Sequence, residues 1–299
     1  MRIPTPPRLA RTVARPFARP FARPFAEPIA EPVAEPLPRA ATAAASPRTN
    51  LPAVLAAALL VLGAPAHDAR AAHPLVSDDT GTQGAGHWQF EANTDHTRVR
   101  DDGVTVRVRE YNVTLTRGMT ETLDVAVNAP WLQTSASGAS TERGAGDATV
   151  LAKWRYFDDG NGWTLGLRPE FTLPTGSERK GLGNGRATAS LTLLSHVERG
   201  AWTWLVNAGA TYNDNKAGER KQLWAASTAV LYALGASWTL AADIGVARAA
   251  EPGAANEKYG LVGLIYHHGD DVDLDIVWRR TKGDGPAARM LGVGLTLRW

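Results

Sequence analysis

Hydrophobic and polar residues alternate strictly in the last ten residues of the chain, 290–299. The large apolar residues share one parity: Leu291, Val293, Leu295, Leu297 and Trp299. The other parity includes Gly292, Gly294 and Arg298. A period of two predicts a β-strand with one apolar face. Ten residues also match the length at which a tilted strand crosses a bilayer. The pattern therefore predicts a membrane-spanning strand that ends on an aromatic residue.

The same alternation recurs in twelve segments, which predict twelve strands. Their bounds are roughly 87–97, 104–117, 123–132, 147–157, 163–173, 187–197, 202–212, 222–234, 238–248, 258–267, 272–280 and 289–299. Short connections follow the even strands, and longer polar connections, such as 134–146, follow most odd strands. Outer-membrane barrels have an even strand number, short periplasmic turns and longer extracellular loops. We therefore predict an all-β fold, a transmembrane antiparallel up-and-down β-barrel of about 12 strands over 87–299, with both termini periplasmic.

The tryptophans lie near strand ends. Seven fall at the short-turn end of their strands: Trp88, Trp154, Trp163, Trp202, Trp204, Trp238 and Trp299. Three fall toward the long loops: Trp131, Trp224 and Trp278. Indole prefers the boundary between hydrocarbon and lipid headgroups, so the pattern predicts two aromatic girdles. A soluble β-sandwich would place its aromatic core residues at strand centres, so the barrel is favoured.

Two strands depart from regular alternation. In the second strand the apolar parity changes between Val108 and Tyr111, which a bulge or an upper half projecting above the membrane would explain. Pro169 lies on the lipid-facing parity of the fifth strand, where a closed barrel has no free edge. It predicts a second bulge.

The first 71 residues differ from the rest. Within 1–50, a tetrapeptide ending in proline repeats over 13–36, which predicts an extended low-complexity leader or a start codon assigned too far upstream. An uncharged run, 49–66, follows Arg39 and Arg48 and precedes small residues at 69–71. This order predicts a signal-peptide core and cleavage region at 51–71, with cleavage near Ala71, after Ala71 or Ala72, and Ala66 as the alternative. The expected location is the outer membrane of a Gram-negative bacterium.

Charge is unevenly distributed along the chain. The formal net charge is +2, but residues 1–71 hold nine Lys and Arg against four Asp and Glu. The remainder carries a slight negative excess, so we predict no nucleic-acid partner. The absence of cysteine excludes disulfide and thiolate chemistry.

The segment 72–86 precedes the first predicted strand and is expected to be periplasmic or luminal. It contains the run H-P-L-V-S-D-D-T-G-T-Q-G at 73–84. Asp78 and Asp79 could suggest a cation site, but they lack the remaining spacing of a calcium loop. We therefore predict a solvated tail.

Several of these motifs carry a family resemblance. The run at 73–84, R-P-E-F-T-L-P-T-G at 168–176, G-L-G-N-G at 181–185 and the closing G-V-G-L-T-L-R-W resemble the outer-membrane proteins named for the "MetA-pathway of phenol degradation". The resemblance covers nearly all of 73–299 and leaves out the leader repeat. It implies an outer-membrane barrel associated with the breakdown of aromatic compounds.

The inward parity of the predicted barrel carries charged residues, which form the predicted pore lining: Lys153, Arg155, Arg168, Glu170, Asp243, Asp273, Asp275 and Arg279. In a ring of twelve strands, the basic residues would face the acidic ones across the lumen. Such a transverse field would suit amphipathic small molecules. The alternative is a set of ion pairs that hold the barrel closed, for example Arg298 with Asp273. Barrels of about eight strands have an interior filled by side chains, and barrels of about sixteen strands have an open channel. A count of twelve therefore does not decide whether the lumen conducts.

Signatures of catalysis are scarce. The elbow G-x-S-x-G, the Walker lysine loop and H-E-x-x-H do not occur in the chain. His196, with Ser190 and Ser195 nearby, is the candidate base inside the barrel. We predict no enzyme, no cofactor and no metal site.

The favoured function is an outer-membrane channel or transporter for small aromatic or hydrophobic organic compounds. The alternative is a non-conducting structural or binding barrel, plugged by side chains or by residues 73–84. A lipid hydrolase is least favoured. The expected partners are outer-membrane lipid, a small-molecule substrate and the barrel-assembly machinery, which would recognise the C-terminal strand ending at Trp299.

Overall fold

The computed structural model describes residues 73–101, 104–216 and 218–299. The predicted leader, the signal region and the cleavage site near Ala71 lie outside these residues and stay predictions. The described residues form thirteen β-strands and one 3-10 turn, Glu178–Lys180. The strands are β1 Trp88–Asp101, β2 Val104–Thr120, β3 Leu123–Ala136, β4 Glu142–Ala145, β5 Thr149–Asp158, β6 Trp163–Thr172, β7 Thr188–Arg199, β8 Trp202–Asn213, β9 Gln222–Ala233, β10 Trp238–Ala247, β11 Glu257–His268, β12 Val272–Lys282 and β13 Ala288–Arg298.

Twelve of the described strands form one closed antiparallel barrel. Each pairs with its neighbours in chain order, except that β3 pairs with β5 because the short strand β4 is not one of the twelve. β13 closes the ring against β1, from Gln89 paired with Arg298 to Arg98 paired with Arg289. The prediction of a twelve-stranded barrel is confirmed. The loop expected over 134–146 differs, because it contains β4, which pairs with the upper part of β3.

The two faces of each strand differ in polarity and exposure. On β13 the outward side chains of Leu291 and Val293 are 52% and 46% exposed, whereas the inward Met290 is 4% exposed. The same outward apolar surface continues around the ring, for example at Ile244 and Val262. An apolar surface this extensive requires a hydrocarbon environment rather than water. The outside of the barrel is therefore built to contact lipid.

The second strand contains no bulge where its apolar parity changes. β2 pairs with β1 in an unbroken register from Val104 to Arg117. Its even-numbered residues, such as Glu110 and Asn112, face inward, and Arg107 occupies the outward face above Tyr111. The bulge interpretation is wrong. The upper part of the strand simply has a polar outward face, as expected for a part that projects beyond the apolar belt.

Pro169 does not mark a bulge either. It pairs in register with Leu191 of β7. On the β5 side the pairing is interrupted between Leu151–Glu170 and Trp154–Leu167, because proline has no N–H to donate. The register shift between β5 and β6 occurs instead between Arg155 and Phe157.

Among the described residues, helical structure is limited to the 3-10 turn Glu178–Lys180. In the part of the chain that the structure describes, no helix has the length and hydrophobicity needed to span a membrane.

Candidate functional site: the lumen and its N-terminal segment

Residues 73–86, the luminal segment, run inside the barrel before the first strand. Ser77, Asp78 and Thr80 are almost completely buried. The segment bonds to inward side chains around most of the ring: Asp275 of β12, Asp243 of β10, Asn207 of β8, Thr164 of β6 and Asp124 of β3. The prediction of a solvated tail is therefore wrong. The segment fills much of the lumen.

His73 lies between two carboxylates over the terminal strand. Its Nδ1 lies 2.5 Å from Asp275 Oδ1, and its Nε2 lies 3.4 Å from Asp95 Oδ1. Burial alone would lower the pKa of His73, but the hydrogen bonds and charges of Asp275 and Asp95 raise it from 6.5 to about 9. The imidazole is therefore protonated at neutral pH. It forms a charge-assisted bridge between β1 and β12.

Two glycines of β13 leave room for this imidazole. A Cβ atom on Gly294 would lie 2.6 Å from His73 Nδ1 and would overlap Asp275 Oδ2. A Cβ atom on Gly292 would lie 3.1 Å from His73 Nε2. The inward face of the terminal strand has no side chains at these two glycines, and the luminal segment covers it there.

Leu75 and Val76 cover an apolar patch on the inner wall. One buried cluster contains Tyr259, Leu261, Val277 and Met290 and packs against both residues; the other contains Leu205, Leu231 and Ile265 and packs against Leu75. Beside this patch, the N–H groups of Val76 and Ser77 donate to Asp243 Oδ2 at 2.9 and 2.7 Å. Tyr259 donates to the other oxygen of that carboxylate at 2.8 Å. The backbone is therefore held at the point where the side chains enter the apolar patch.

Asp78 forms ion pairs with the basic part of the inner wall. Lys153 Nζ lies 2.8 Å from Asp78 Oδ1, and Arg168 Nη1 lies 2.6 Å from Asp78 Oδ2. The Asp78 N–H also donates to Asn207 Oδ1 at 2.6 Å. Burial alone would raise the pKa of Asp78, but the two cations lower it. Together with His73, Asp78 places an opposite charge on each of the two predicted charged walls.

The last part of the segment returns to the barrel wall. The Gln83 N–H donates to Asp124 Oδ2 at 3.0 Å, and its side-chain amide donates to Gln89 Oε1 at 3.2 Å. Gly84 then passes directly over Gly118, where a Cβ atom would overlap the Gly84 carbonyl oxygen. A glycine at 118 is therefore required for the chain to enter β1.

A cavity of about 170 Å³ remains between the luminal segment and the wall formed by β1, β2, β3, β5, β6, β12 and β13. This volume holds several water molecules. Most of its lining residues are polar, and they include both signs of charge: Glu91, Asp95, Asp124 and Glu170 with Lys153, Arg168 and Arg279. Leu75, Val76 and Met290 supply an apolar side. The luminal segment thus narrows the lumen, and the space that remains has both polar and apolar sides.

Four of the predicted pore-lining residues line this cavity: Lys153, Arg168, Glu170 and Arg279. Asp243 and Asp275 bind the luminal segment instead. Arg155 does not line the cavity; it donates to the Glu121 carbonyl at 3.2 Å, near the short-turn end.

Asp273 is buried below the cavity in an ion-pair network. Arg298 Nη2 lies 2.7 Å from its Oδ2, and His267 Nδ1 lies 2.6 Å from its Oδ1. The predicted Arg298–Asp273 pair is confirmed. A role for any of the eight charged residues in permeation stays a prediction.

Sequence reasoning missed the residues that organise the lumen. These are His73, Leu75, Asp78, Asp95 and Asp124. One signal was available: Gly292 and Gly294 fall on the inward parity of an otherwise large-residue strand, which indicates close approach by another group. Which group fills that space required the tertiary structure.

The tryptophans lie on the outward faces of their strands, and their arrangement in two girdles stays a prediction. Trp88 and Trp299 are half-buried where the barrel closes, and the Trp88 N–H donates to the Trp299 carbonyl at 2.9 Å. The eight others have exposed side chains: Trp131, Trp154, Trp163, Trp202, Trp204, Trp224, Trp238 and Trp278. At the short-turn end, Trp202 packs on Tyr232 and Trp238 on Tyr266, with ring centroids 4.5 and 4.8 Å apart. Their contact with the lipid interface stays a prediction.

The family model described as "Putative MetA-pathway of phenol degradation" matches residues 74–299. The chain belongs to this family. The match begins at Pro74, so it includes the barrel and all of the luminal segment except His73. The resemblance identified from the sequence motifs is confirmed. Among curated proteins, no match was found.

Two solved structures show the same fold. The COG4313 outer membrane channel from Pseudomonas putida F1 is 17% identical with a TM-score of 0.64, and the alignment covers 74% of this chain and 98% of that chain. The NanC porin is 9% identical with a TM-score of 0.52, and the alignment covers 70% of this chain and 98% of that chain. Both likenesses support the β-barrel architecture of this family member.

Proposed function

We propose that this protein is an outer-membrane channel for small aromatic or hydrophobic organic compounds. The observation that carries the proposal is the apolar patch on the inner wall, which Leu75 and Val76 cover. Lumens of water-filled barrels are lined by polar residues, so inward leucines such as Leu205 and Leu231 indicate a different solute. Displacement of the luminal segment would expose this patch opposite a polar wall. A ring that carries a hydroxyl group could then contact both.

The names of the relatives agree with this proposal. The family is named for phenol degradation, and one structural relative is named as an outer membrane channel. In the proposed orientation both termini are periplasmic, and the long loops face outside. The signal peptide would be removed near Ala71, which would leave His73 close to the mature N-terminus.

The proposal can be tested by uptake into intact bacteria. N-phenyl-1-naphthylamine is a hydrophobic dye that fluoresces when it reaches the inner leaflets of the envelope. Cells that produce the protein should take up the dye several-fold faster than cells that produce an unrelated barrel at the same level. Equal rates, with equal amounts of folded barrel in the outer membrane, would contradict the channel proposal.

The second candidate is a non-conducting barrel, favoured by the extent to which residues 73–83 are bonded into the lumen. Planar-bilayer recordings separate the two candidates. A channel gives discrete current steps when the polar cavity beside the segment conducts ions or when the segment shifts. A structural or binding barrel gives no steps, and cells that produce it show no added dye uptake.

We propose no catalytic role. His196 Nε2 lies 3.3 Å from Glu198 Oε1, and the Ser195 hydroxyl accepts a hydrogen bond from Trp163 on the outward side of the strand. This serine and this histidine therefore face opposite sides of the barrel wall. Lipid hydrolysis that disappears in His196→Ala would overturn this proposal.

A further inference from the structure

Charge is sorted by face on five neighbouring strands, β11, β12, β13, β1 and β2. Every carboxylate in these described strands lies on the inward parity, as Asp95, Glu110 and Asp275 do. Basic residues dominate the outward face toward the long loops. The carboxylates of these strands therefore all face the lumen, whereas the outer surface of the rim carries positive charge.

Four outward arginines stand directly opposite one another on four adjacent strands. Arg107 of β2 pairs in register with Arg98 of β1, which pairs with Arg289 of β13, which pairs with Arg280 of β12. All four side chains are exposed. Adjacent strands are about 4.8 Å apart, so this arginine row extends over about 14 Å. Arg100, Arg109 and Lys282 lie on the same outward face, two residues along their strands from members of the row.

The described residues supply no counter-charge to the arginine row. Like charges on directly opposed strand positions destabilise a sheet. Among the described residues, none of the four arginines takes part in an ion pair, because the carboxylates of these strands point inward. An external anion beside the row would supply the missing charge and reduce this repulsion.

On β12 and β13 the row lies at the edge of the apolar belt. One step along the strands, toward the short turns, the outward positions are Arg109, His96, Leu291 and Trp278. A further step gives Tyr111, Thr94, Val293 and Ile276. On β12 and β13 the arginines are thus immediate neighbours of a tryptophan and a leucine that face lipid. This is the level of headgroups, on the side of the long loops.

We propose that the arginine row binds the phosphate groups of lipid headgroups in the leaflet on the long-loop side. Guanidinium groups bind phosphate through paired N–H···O hydrogen bonds, and a row of four can hold more than one phosphate. Basic residues beside a membrane-spanning element are the usual partners of anionic headgroups. The site lies on the outer surface, so the inference does not depend on whether the lumen conducts.

Native mass spectrometry of the detergent-solubilised protein tests this site. The probe is lipid A that carries two phosphates, compared with the same lipid after removal of both phosphates. The variant is Arg98→Gln/Arg107→Gln/Arg280→Gln/Arg289→Gln. The matched control, Arg179→Gln/Lys180→Gln/Lys216→Gln/Lys221→Gln, removes four exposed charges from loops outside the row. Folding of each variant is verified by the heat-dependent shift in gel mobility.

The expected result is that the phosphorylated lipid binds wild type and the control variant at least about 10-fold more tightly than the row variant. Binding to wild type should weaken strongly between 50 and 500 mM salt, because screening shortens to about 3–5 Å at the higher concentration. Equal binding of the phosphorylated and dephosphorylated lipids to wild type would overturn the inference. So would full affinity in the row variant. If that variant does not fold, Arg98→Gln and Arg289→Gln are measured singly, and unchanged affinity in both counts against the site.

Discussion

At the scale of single residues, one contact links the two ends of the described chain. His73 precedes the barrel and lies over Gly292 and Gly294 of its last strand, held by Asp95 and Asp275. The protonated imidazole satisfies two buried carboxylates that would otherwise repel each other across the terminal strand. The position of the start of the luminal segment therefore depends on one charge and on two missing side chains.

The glycine at 294 can be tested by filling the space above it. In Gly294→Val the new side chain would overlap His73 and Asp275, so the start of the luminal segment should leave its site. We expect a larger single-channel conductance in planar bilayers. Gly260→Val is the matched control, because Gly260 lies on the outward face of β11, where an added Cβ atom would come no closer than 3.9 Å to its nearest neighbour, Ile244. Unchanged conductance in Gly294→Val would show that the segment does not limit the current.

Docking of the luminal segment should weaken in alkaline solution. The pKa of His73 is raised from 6.5 to about 9, so its contribution is complete below pH 6.5 and is lost as pH rises through about 9. The contribution amounts to on the order of 3 kcal/mol. Conductance of the wild-type protein should therefore rise between pH 7.5 and 9.5.

His73→Asn is the comparison for this pH dependence, because asparagine keeps a hydrogen-bonding side chain but does not titrate. Its conductance should be higher than that of wild type at pH 7.5 and nearly constant up to pH 9.5. The same rise in both proteins would assign the titration to another group.

At the scale of elements, the luminal segment behaves as a strap with separate anchors along its length. Leu75 provides burial, Asp78 provides a buried ion pair, and Gln83 provides backbone and side-chain hydrogen bonds. Removal of one partner of a buried pair leaves the other charge uncompensated, at a cost of about 3–5 kcal/mol. The residues that these anchors contact lie on different strands, so the segment also connects parts of the ring that do not pair directly.

Deletion of residues 73–83 should open the lumen while the barrel persists, because each of the twelve barrel strands keeps both neighbours. We expect conductance to rise at least about two-fold and the melting temperature to fall. Deletion of 252–254, in the exposed loop after β10, removes chain without touching the lumen and is the control. A deletion variant with wild-type conductance would place the narrowest point elsewhere.

At the scale of the whole molecule, the barrel depends on closure between its first and last strands. Trp299 lies at this junction and exchanges backbone hydrogen bonds with Trp88 at 2.9 and 3.1 Å. The backbone bonds do not need the indole, so Trp299→Ala should refold in detergent almost as well as wild type. If the barrel-assembly machinery recognises the indole, the same variant should reach the outer membrane in a severalfold lower amount.

The measurement for Trp299→Ala is the heat-modifiable fraction in isolated outer membranes, compared with the refolding yield of the purified chain. Trp163→Ala, which removes an indole from the same end of the barrel but not from the terminal strand, is the control. Equal assembly of both variants in cells would contradict a special role of the C-terminal residue in assembly.

The sequence by itself determined the twelve barrel strands and their outward faces, but not the short strand β4. Alternation with period two is a local property, and the outward residues within the apolar belt share one apolar environment, so Leu291 or Val293 can be assigned without knowledge of its neighbours. The pair between Arg298 and Asp273 was also predictable, because adjacent strands in a barrel have a nearly fixed register.

The contents of the lumen were decided only by the tertiary structure. A polar segment with two adjacent aspartates has the same composition whether it is solvated or enclosed, and nothing local distinguishes the two. Asp78 is stabilised by Lys153 and Arg168, which are about 75 and 90 residues away along the chain and come together only when the ring closes. The space over Gly294 likewise becomes a site for His73 only when β13 meets β1 and β12. Strand faces follow from local periodicity, whereas occupancy of the interior follows from the distances that closure imposes.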